Sequence, residues 1–467
     1  MAKQSDAWKW AFEEFGSADL GDARRVRRLT HVVRRVVAAP AGRVTRVVAS
    51  SAERQGAYDL LANEAVSAEE LDIARSRACR ERCRPAVGEK RRILVLIDQS
   101  SIGVPDHRDT KDLGCVGNYR NNGRGLSTLT ALAADDSGTP YGILGQRYWA
   151  RPKVKPPRSR THWRKTEQKE TQHVLDLTEG IITTFADEPR VHLCFIGDRG
   201  YDAGPVLSKL VESGQEFIIR SCWDRRLASE GEQRVYLRQR LKQARVLGTI
   251  SLDVTAGPRR KARTAKLSVR AAVVPVELVD RYHKKTRTLE LTVVWVHETR
   301  TVPVGEKPLD WALLTNRRAT TLDDAKATVD LYRHRWRIEE FHRTWKSGGC
   351  NVEDSRLHTA NGLAKWATLL ASVAARIERL KRLSRESPDA PATIELSDGE
   401  IRAIIWLKRQ RKKKTETIPD ATPSLGDAVR WLAEIGGYTG YGGPPGVATI
   451  GRGYDRISLL AEYLAKK

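Results

Sequence analysis

The chain has 467 residues, 82 of them basic and 58 acidic, for a formal net charge of +24. A hydrophobic share of 40% supports real cores and excludes wholesale disorder. The 30% of charged residues and a mean hydropathy of −0.49 exclude an integral membrane protein, and the longest apolar stretches, such as Trp366 to Ala375, fall short of the ~20 residues of a span. At ~150 residues per domain, about three domains are expected. The six cysteines make a poor disulfide framework: Cys79 and Cys83 form a lone CxxxC and the rest stand apart. No Cys/His comb suggests zinc. Lys3, Asp6 and Lys9 open the sequence without an apolar stretch, so secretion is not expected. These features predict a reduced, cytosolic, multidomain protein that does not engage a membrane.

A pI near 9.9 points to a polyanionic partner. The charge is clustered. Nine arginines and two acids lie between Leu20 and Arg54, and seven basic residues and no acid between Arg151 and Lys165. The run "KRQRKKK" spans Lys408 to Lys414. Such clusters release counterions from phosphates and bind nucleic acid in a salt-sensitive way.

In chain order, the first ~68 residues read as short helices. Ser17, Asp19 and Asp22 offer N-caps ahead of "ARRVRRLTHVVRRVVA", where Val26, Leu29, Val33 and Val36 recur at helical spacing. Pro40 and Gly42 break this helix, and Arg43 to Leu61 continues the module. A solvated basic helix is the alternative to a DNA-binding one. From Arg91, "RRILVLIDQSSI" is a continuous apolar run, as in a strand buried on both faces. "LSTLTALAAD" and "PYGILGQRYWAR" predict two more strands, Lys169 to Ala186 a helix, and "RVHLCFIGDRGYD" a buried strand ending at Asp198. A helix over Gly204 to Ser213 and the strand "EFIIRS" complete a β-β-β-α-β-α-β order, a mixed α/β sheet. Trp223 to Val304 is strand-like and basic, with a hairpin tip over Gly257 to Lys266. "DWALLT" closes this part, and one helix is predicted from about Thr321 to Ser347. Beyond Asn361 the chain is helical, interrupted by Ser384 to Thr393 and by a Gly/Pro-rich loop over Gly436 to Gly446.

Two aspartates stand out at or near the ends of buried strands, Asp98 in "LVLIDQSS" and Asp198 in "CFIGDRGY". An acid after an apolar run is costly unless paired or metal-bound. A single one is usually a strand-end cap, but two in one sheet can meet at one edge. Hard oxygen ligands there suit Mg²⁺ or Mn²⁺. The third piece is "YRHRWRIEEFHRTWK". On one regular helix, Tyr332, Arg335, Glu339, His342 and Lys346 fall within an arc of about 80°, beside a core stripe of Leu331, Ile338, Phe341 and Trp345. The polar stripe is either an exposed face laced with ion pairs or a metal ligand bordered by phosphate binders.

The spacing Tyr-x2-Arg-x3-Glu-x6-Lys resembles the signature of bacterial DDE transposases of the insertion-sequence-four family. "LGDARR", "RQGAYDLLAN", "PLDWALLT" and "WLAEIGGYTG" extend the resemblance over nearly the whole chain. It implies a ribonuclease-H-like mixed sheet carrying a β-rich insertion, flanked by helical N- and C-terminal domains. The implied boundaries are 1–68 for an N-terminal domain that binds DNA ends, 69–222 and 320–361 for the catalytic domain, 223–319 for the insertion, and 362–467 for a dimerisation domain. Asp98, Asp198 and Glu339 would be the catalytic, metal-binding triad for two Mg²⁺ ions, with Mn²⁺ as substitute, about 3.5–4 Å apart. Tyr332, Arg335 and Lys346 would hold phosphates beside the cut. Trp311 and Trp336 would stack on a flipped nucleotide, and Arg220 would serve a hairpin step. The implied partners are double-stranded DNA, as transposon ends and target, and a second copy of the chain in a synaptic complex on the bacterial nucleoid. The dimer contact is expected from "WATLLASVAARI" and "ISLLAEYLA". One departure is Arg199-Gly200-Tyr201-Asp202 after the second aspartate, where the family pattern has Arg-Glu-Ala-Asp. The competing readings are a ribonuclease-H-like nuclease without strand transfer and a non-catalytic DNA-binding inhibitor.

Overall fold

The computed structural model describes residues 6–464 apart from 49, 86–87, 107–110, 122, 155–168, 229–233, 258–259, 281–284, 300–301, 412–415, 417 and 419–420. Most of the basic cluster over 151–165 and the end of the 408–414 run lie outside the described residues. The chain opens with helices α1 (Asp6–Phe15), α2 (Ala23–Ala38), the single turn α3 (Val44–Val47), α4 (Ser51–Ala62) and α5 (Ala68–Cys83). Strands β1 (Arg91–Gly103), β2 (Gly114–Cys115), β3 (Arg124–Ala134) and β4 (Pro140–Trp149) follow, then α6 (Thr171–Thr184), β5 (Val191–Gly197), α7 (Gly204–Glu212) and β6 (Glu216–Arg220). A mostly extended stretch holds β7 (Arg226–Leu227), β8 (Val235–Tyr236), α8 (Leu237–Gln243), β9 (Val246–Val254), β10 (Arg263–Asp280), β11 (Lys285–Glu298) and β12 (Asp310–Thr315). Helices α9 (Leu322–Arg333), α10 (Trp336–Arg343), α11 (Ala360–Glu386), α12 (Asp398–Arg411), α13 (Leu425–Ile435) and α14 (Val447–Leu464) complete the chain. The class is mixed α/β.

These elements divide into two compact units. The first comprises Met1–Ala86, Gln99–Pro156 and Arg337–Lys467; the second comprises Val87–Asp98 and Pro157–Trp336.

In the first unit, Asp22 caps α2 by accepting from the Arg24 N–H at 2.8 Å. Leu29, Val32, Val33, Val36 and Val37 of α2 are buried while its arginines occupy the remaining faces. Helix α11 forms the unit's centre: Trp366, Leu369 and Leu370 are fully buried, and the Trp366 indole donates to Gly42 O at 2.8 Å. Arg75 of α5 is 0% exposed yet fully engaged, donating to Asp72 Oδ1, Thr368 O and Gln146 Oε1, so it ties α5 to α11 and β4. β3 pairs antiparallel with β2 and β4. Cys79 and Cys83 are buried on α5 as free thiols.

In the second unit, β1, β5 and β6 run parallel and carry continuous apolar runs, such as Ile93–Ile97 and Leu193–Ile196. The order continues β6-β12-β11-β10 with antiparallel pairing, giving a mixed sheet. β9 pairs with β10 on its way in. α9 opens on a capping box, Thr321 accepting from the Asp324 N–H while the Asp324 carboxylate accepts from the Thr321 N–H.

The structure corrects the sequence reading at several points. The single helix expected over Thr321 to Ser347 is three pieces. His334 N–H and Arg335 N–H bond back three residues to Leu331 O and Tyr332 O, closing α9 with a tightened turn. After α10, Thr344–Gly348 widens into a π-helical turn. No Gly or Pro marks the first break, and the second begins at Thr344, ahead of Gly348 and Gly349. A constant 100° per residue therefore does not carry from Tyr332 to Lys346. His342 leaves the polar stripe: it is buried, its ring tilted against those of Phe341 and Trp345, which stack on each other. The hairpin tip ends earlier than expected, since Arg263–Lys266 already belong to β10. Helices α5 and α8 have no sequence counterpart above. The 366–377 stretch expected at a dimer contact is spent on the protomer's own core, where Trp366, Val373 and Ile377 are at most 3% exposed.

Candidate metal and DNA site

The site in the second unit is built on two neighbouring parallel strands. β1 and β5 pair in register from Arg91↔Val191 to Ile97↔Gly197. The next residues are Asp98 and Asp198, so the register sets the two acids side by side, about one strand spacing of ~4.8 Å apart. Asp98 lies inside β1, which continues to Gly103, and marks where the buried run of that strand gives way to half-burial. Asp198 follows β5 with an extended backbone, φ −83° and ψ −165°. Its Oδ1 accepts from the Gly200 N–H at 2.7 Å, capping a 3-10 turn over Arg199–Tyr201. That turn folds Tyr201 back over Gly197. A Cβ on Gly197 would lie 2.8 Å from the Tyr201 ring, so only glycine admits this approach. Tyr201 is 4% exposed and its hydroxyl is buried without a hydrogen-bond partner. Burial first, then the charges of Asp98 and Asp198, pushes its pKa well above the usual phenol range.

Asp202, one residue further, is a buried hub. It accepts from Ser221 Oγ at 3.1 Å, Cys222 N–H at 2.7 Å, Trp223 N–H at 3.3 Å and Arg225 Nε at 2.7 Å. These bonds fix the chain leaving β6 to the loop leaving β5. In the sequence Asp202 stands out only as the last residue of the Arg199–Asp202 run, with no role attached. Its signal was an acid four residues beyond Asp198 with Arg225 downstream, a pairing no local pattern reveals.

Three of the candidate DNA-contacting residues form one cluster. Arg220, paired with Leu313 across β6 and β12, donates to Asp310 O at 3.0 Å. Its guanidinium lies 6.0 Å from the Trp311 ring centre. Trp311 meets Tyr332 edge-on at 5.3 Å and 65°. A hydrogen bond joins Tyr332 to Arg220. Burial raises the Tyr332 pKa, and the nearby Arg335 and Arg220 charges work against that rise. Burial lowers the Arg220 pKa. Arg335 lies within electrostatic reach of Tyr332 and Tyr201. Trp336 is 46% exposed.

Glu339 and Lys346 belong to the first unit. Glu339 stands half-buried in the first turn of α10, where the helix dipole favours an acid. Lys346, in the π-helical turn, reaches Glu353 at 4.0 Å. Among the described residues no group of three or more His, Cys, Asp or Glu side chains is placed to hold a metal ion. The pair of Asp98 and Asp198 offers an all-oxygen donor set. That fits a hard divalent cation such as Mg²⁺ or Mn²⁺ and not a thiolate metal.

Two family models match the chain. "Transposase DNA-binding" covers residues 7–66, which hold α1 to α4. "Transposase DDE domain" covers residues 167–375, which include Asp198 and Glu339. Domains of the second kind generally use divalent metal ions. No helix among the described residues is long and apolar enough to cross a membrane. The chain thus carries a transposase DNA-binding domain followed by a transposase DDE domain, the two parts of a DNA transposase.

Proposed function

We propose that the protein is a cut-and-paste transposase of the insertion-sequence-four family, resembling the transposase of transposon five. Residues 1–68 bind the terminal inverted repeats of the element. Residues 69–222 and 320–361 form a ribonuclease-H-like catalytic domain interrupted by the β-rich insertion 223–319. Residues 362–467 carry the dimer contact of the synaptic complex, through faces other than the buried side of α11.

The reading rests most on one observation: the in-register parallel pairing of β1 and β5, which sets Asp98 and Asp198 side by side. Together with Glu339 they would hold two Mg²⁺ ions. Bound there, the ions supply Lewis-acid activation of the attacking oxygen and charge stabilisation at the leaving oxygen. The protein's own part is positional. Gly200 N–H holds Asp198 in one orientation. Arg335 and Lys346 grip phosphate oxygens flanking the cut. Arg220, braced by Asp310 O and Tyr332, keeps a cation at the edge of the sheet for a bent or hairpinned strand. Trp336, already exposed, offers a stacking face for an extruded base, and Trp311 backs Tyr332.

The test is a cleavage assay on duplexes bearing the element's own ends, with Mg²⁺, resolving nicked, hairpin and open products. Nicks followed by hairpins support the full reading. Specific end binding with no cleavage in Mg²⁺ or Mn²⁺ refutes it.

A further inference from the structure

Tyr201 has no role in the chemistry described so far, yet its placement is unusual. Its side chain is almost wholly buried, and the hydroxyl finds no acceptor. Buried polar groups are nearly always satisfied, because an unmade bond forfeits the group's hydration with no return. The backbone is arranged to keep the ring where it is. The Asp198 cap bends the chain into a 3-10 turn, and Gly197 leaves the gap into which the ring folds. The groups whose charge bears on the hydroxyl are Asp98, Asp198 and Arg335, two acids and one cation. A guanidinium accepts no hydrogen bond, so the only acceptors of that set are the two carboxylates.

We infer that Tyr201 is a positioning residue of the metal centre: its hydroxyl donates to a carboxylate oxygen of Asp98 or Asp198 when a divalent cation draws the two acids together. This rests on the metal reading proposed above. Two carboxylates a strand spacing apart repel each other without a cation. With one bound they turn inward, and each ligand oxygen needs an outer partner to fix its direction. Gly200 N–H already serves one oxygen of Asp198. The phenol serves another oxygen of the pair. Ligating carboxylates are commonly held in this way, and losing the outer partner weakens metal binding about 10–100-fold.

The experiment uses the full-length protein without DNA and measures Mn²⁺ binding by the electron paramagnetic resonance signal of free Mn²⁺, alongside thermal midpoints with and without the ion. Wild type, Tyr201→Phe and Asp98→Asn are compared. The expected results have opposite signs. Tyr201→Phe keeps the metal-free midpoint at or above the wild-type value, because the hydroxyl it removes had no partner. It weakens Mn²⁺ binding about tenfold and shrinks the Mn²⁺-induced rise in midpoint. Asp98→Asn abolishes the specific site. If Tyr201→Phe binds Mn²⁺ as wild type does while Asp98→Asn does not, the role of Tyr201 is overturned and the metal reading stands. If the metal-free midpoint of Tyr201→Phe falls, the hydroxyl was bonded before metal arrived, and the inference is overturned. If wild type has no Mn²⁺ site sensitive to Asp98, the metal reading fails and the inference with it.

Discussion

Replacing Asp98 or Asp198 by Asn tests the carboxylate pair most directly. Each substitution keeps the shape and one acceptor oxygen while the other becomes an NH2 donor; for Asp198 the amide oxygen can still accept from Gly200 N–H. What is lost is one negative charge about a strand spacing from its twin. At ~4 Å and an effective dielectric of ~20, two unit charges interact by about 4 kcal/mol, and a dication doubles that. Hydration of the weakened site recovers part of the loss, and roughly half, about 4 kcal/mol, is a reasonable remainder. Each 1.36 kcal/mol is tenfold, so strand cleavage should fall about 10³-fold or more in either variant. End binding in a gel-shift titration should stay within about threefold, because the basic helix α2, inside the region that matches a transposase DNA-binding domain, is untouched. If either Asn variant cleaves the element's ends within threefold of wild type at saturating Mg²⁺, the charge pair is not what the chemistry uses, and the argument from strand register fails.

Three further outcomes are expected. Trp336→Ala should leave stability within ~0.5 kcal/mol, since the side chain is half in solvent; it should weaken binding to an end with an extruded base by about 1–3 kcal/mol, and equal loss on an intact duplex would argue against stacking. Arg75→Ala strands Asp72 and Gln146 inside the first unit and should cost about 3–5 kcal/mol in urea unfolding, a loss below 1 kcal/mol showing that water replaces the guanidinium. Glu298 accepts a two-pronged bond from Arg263 at 2.9 Å and 2.9 Å, and this bond holds its pKa below the ordinary value. A depressed carboxyl stabilises the fold fully above the unfolded pKa of about 4.3 and loses that contribution as pH falls through the folded value. The gap in thermal midpoint between wild type and Glu298→Gln should therefore be constant from neutral pH to about pH 5 and narrow below about pH 4.3. A gap that persists unchanged to pH 3 would contradict the linkage.

The elements with strong local signals were legible in the sequence. The apolar runs Ile93–Ile97 and Leu193–Ile196 declare strands covered on both faces, and the acids that end those runs declare themselves by contrast. The 3.6-residue recurrence in α2 and the buried Leu331, Ile338, Phe341 and Trp345 were also readable, because burial imposes a period on residue type. What periodicity cannot show is a break that costs no special residue. The turn at His334–Arg335 exchanges one backbone bond for another with ordinary side chains, and the π-helical turn opens at Thr344, before Gly348 and Gly349 are reached, so the expected stripe came apart. Likewise "WATLLASVAARI" is equally apolar whether it faces a partner or its own core, and only packing chose the core.

The sequence by itself determined that two acids terminate buried runs and that a basic helical module precedes them, since both are statements about neighbours along the chain. Tertiary structure alone decided that Asp98 and Asp198 are adjacent. A hundred residues separate them, and only the pairing register of β1 with β5, one residue in either direction, sets whether their side chains share a face. It also decided that Tyr201 folds over Gly197 and that Asp202 binds the chain leaving β6. Those facts depend on backbone path and on hydrogen bonds between distant segments, which no local pattern of residues encodes.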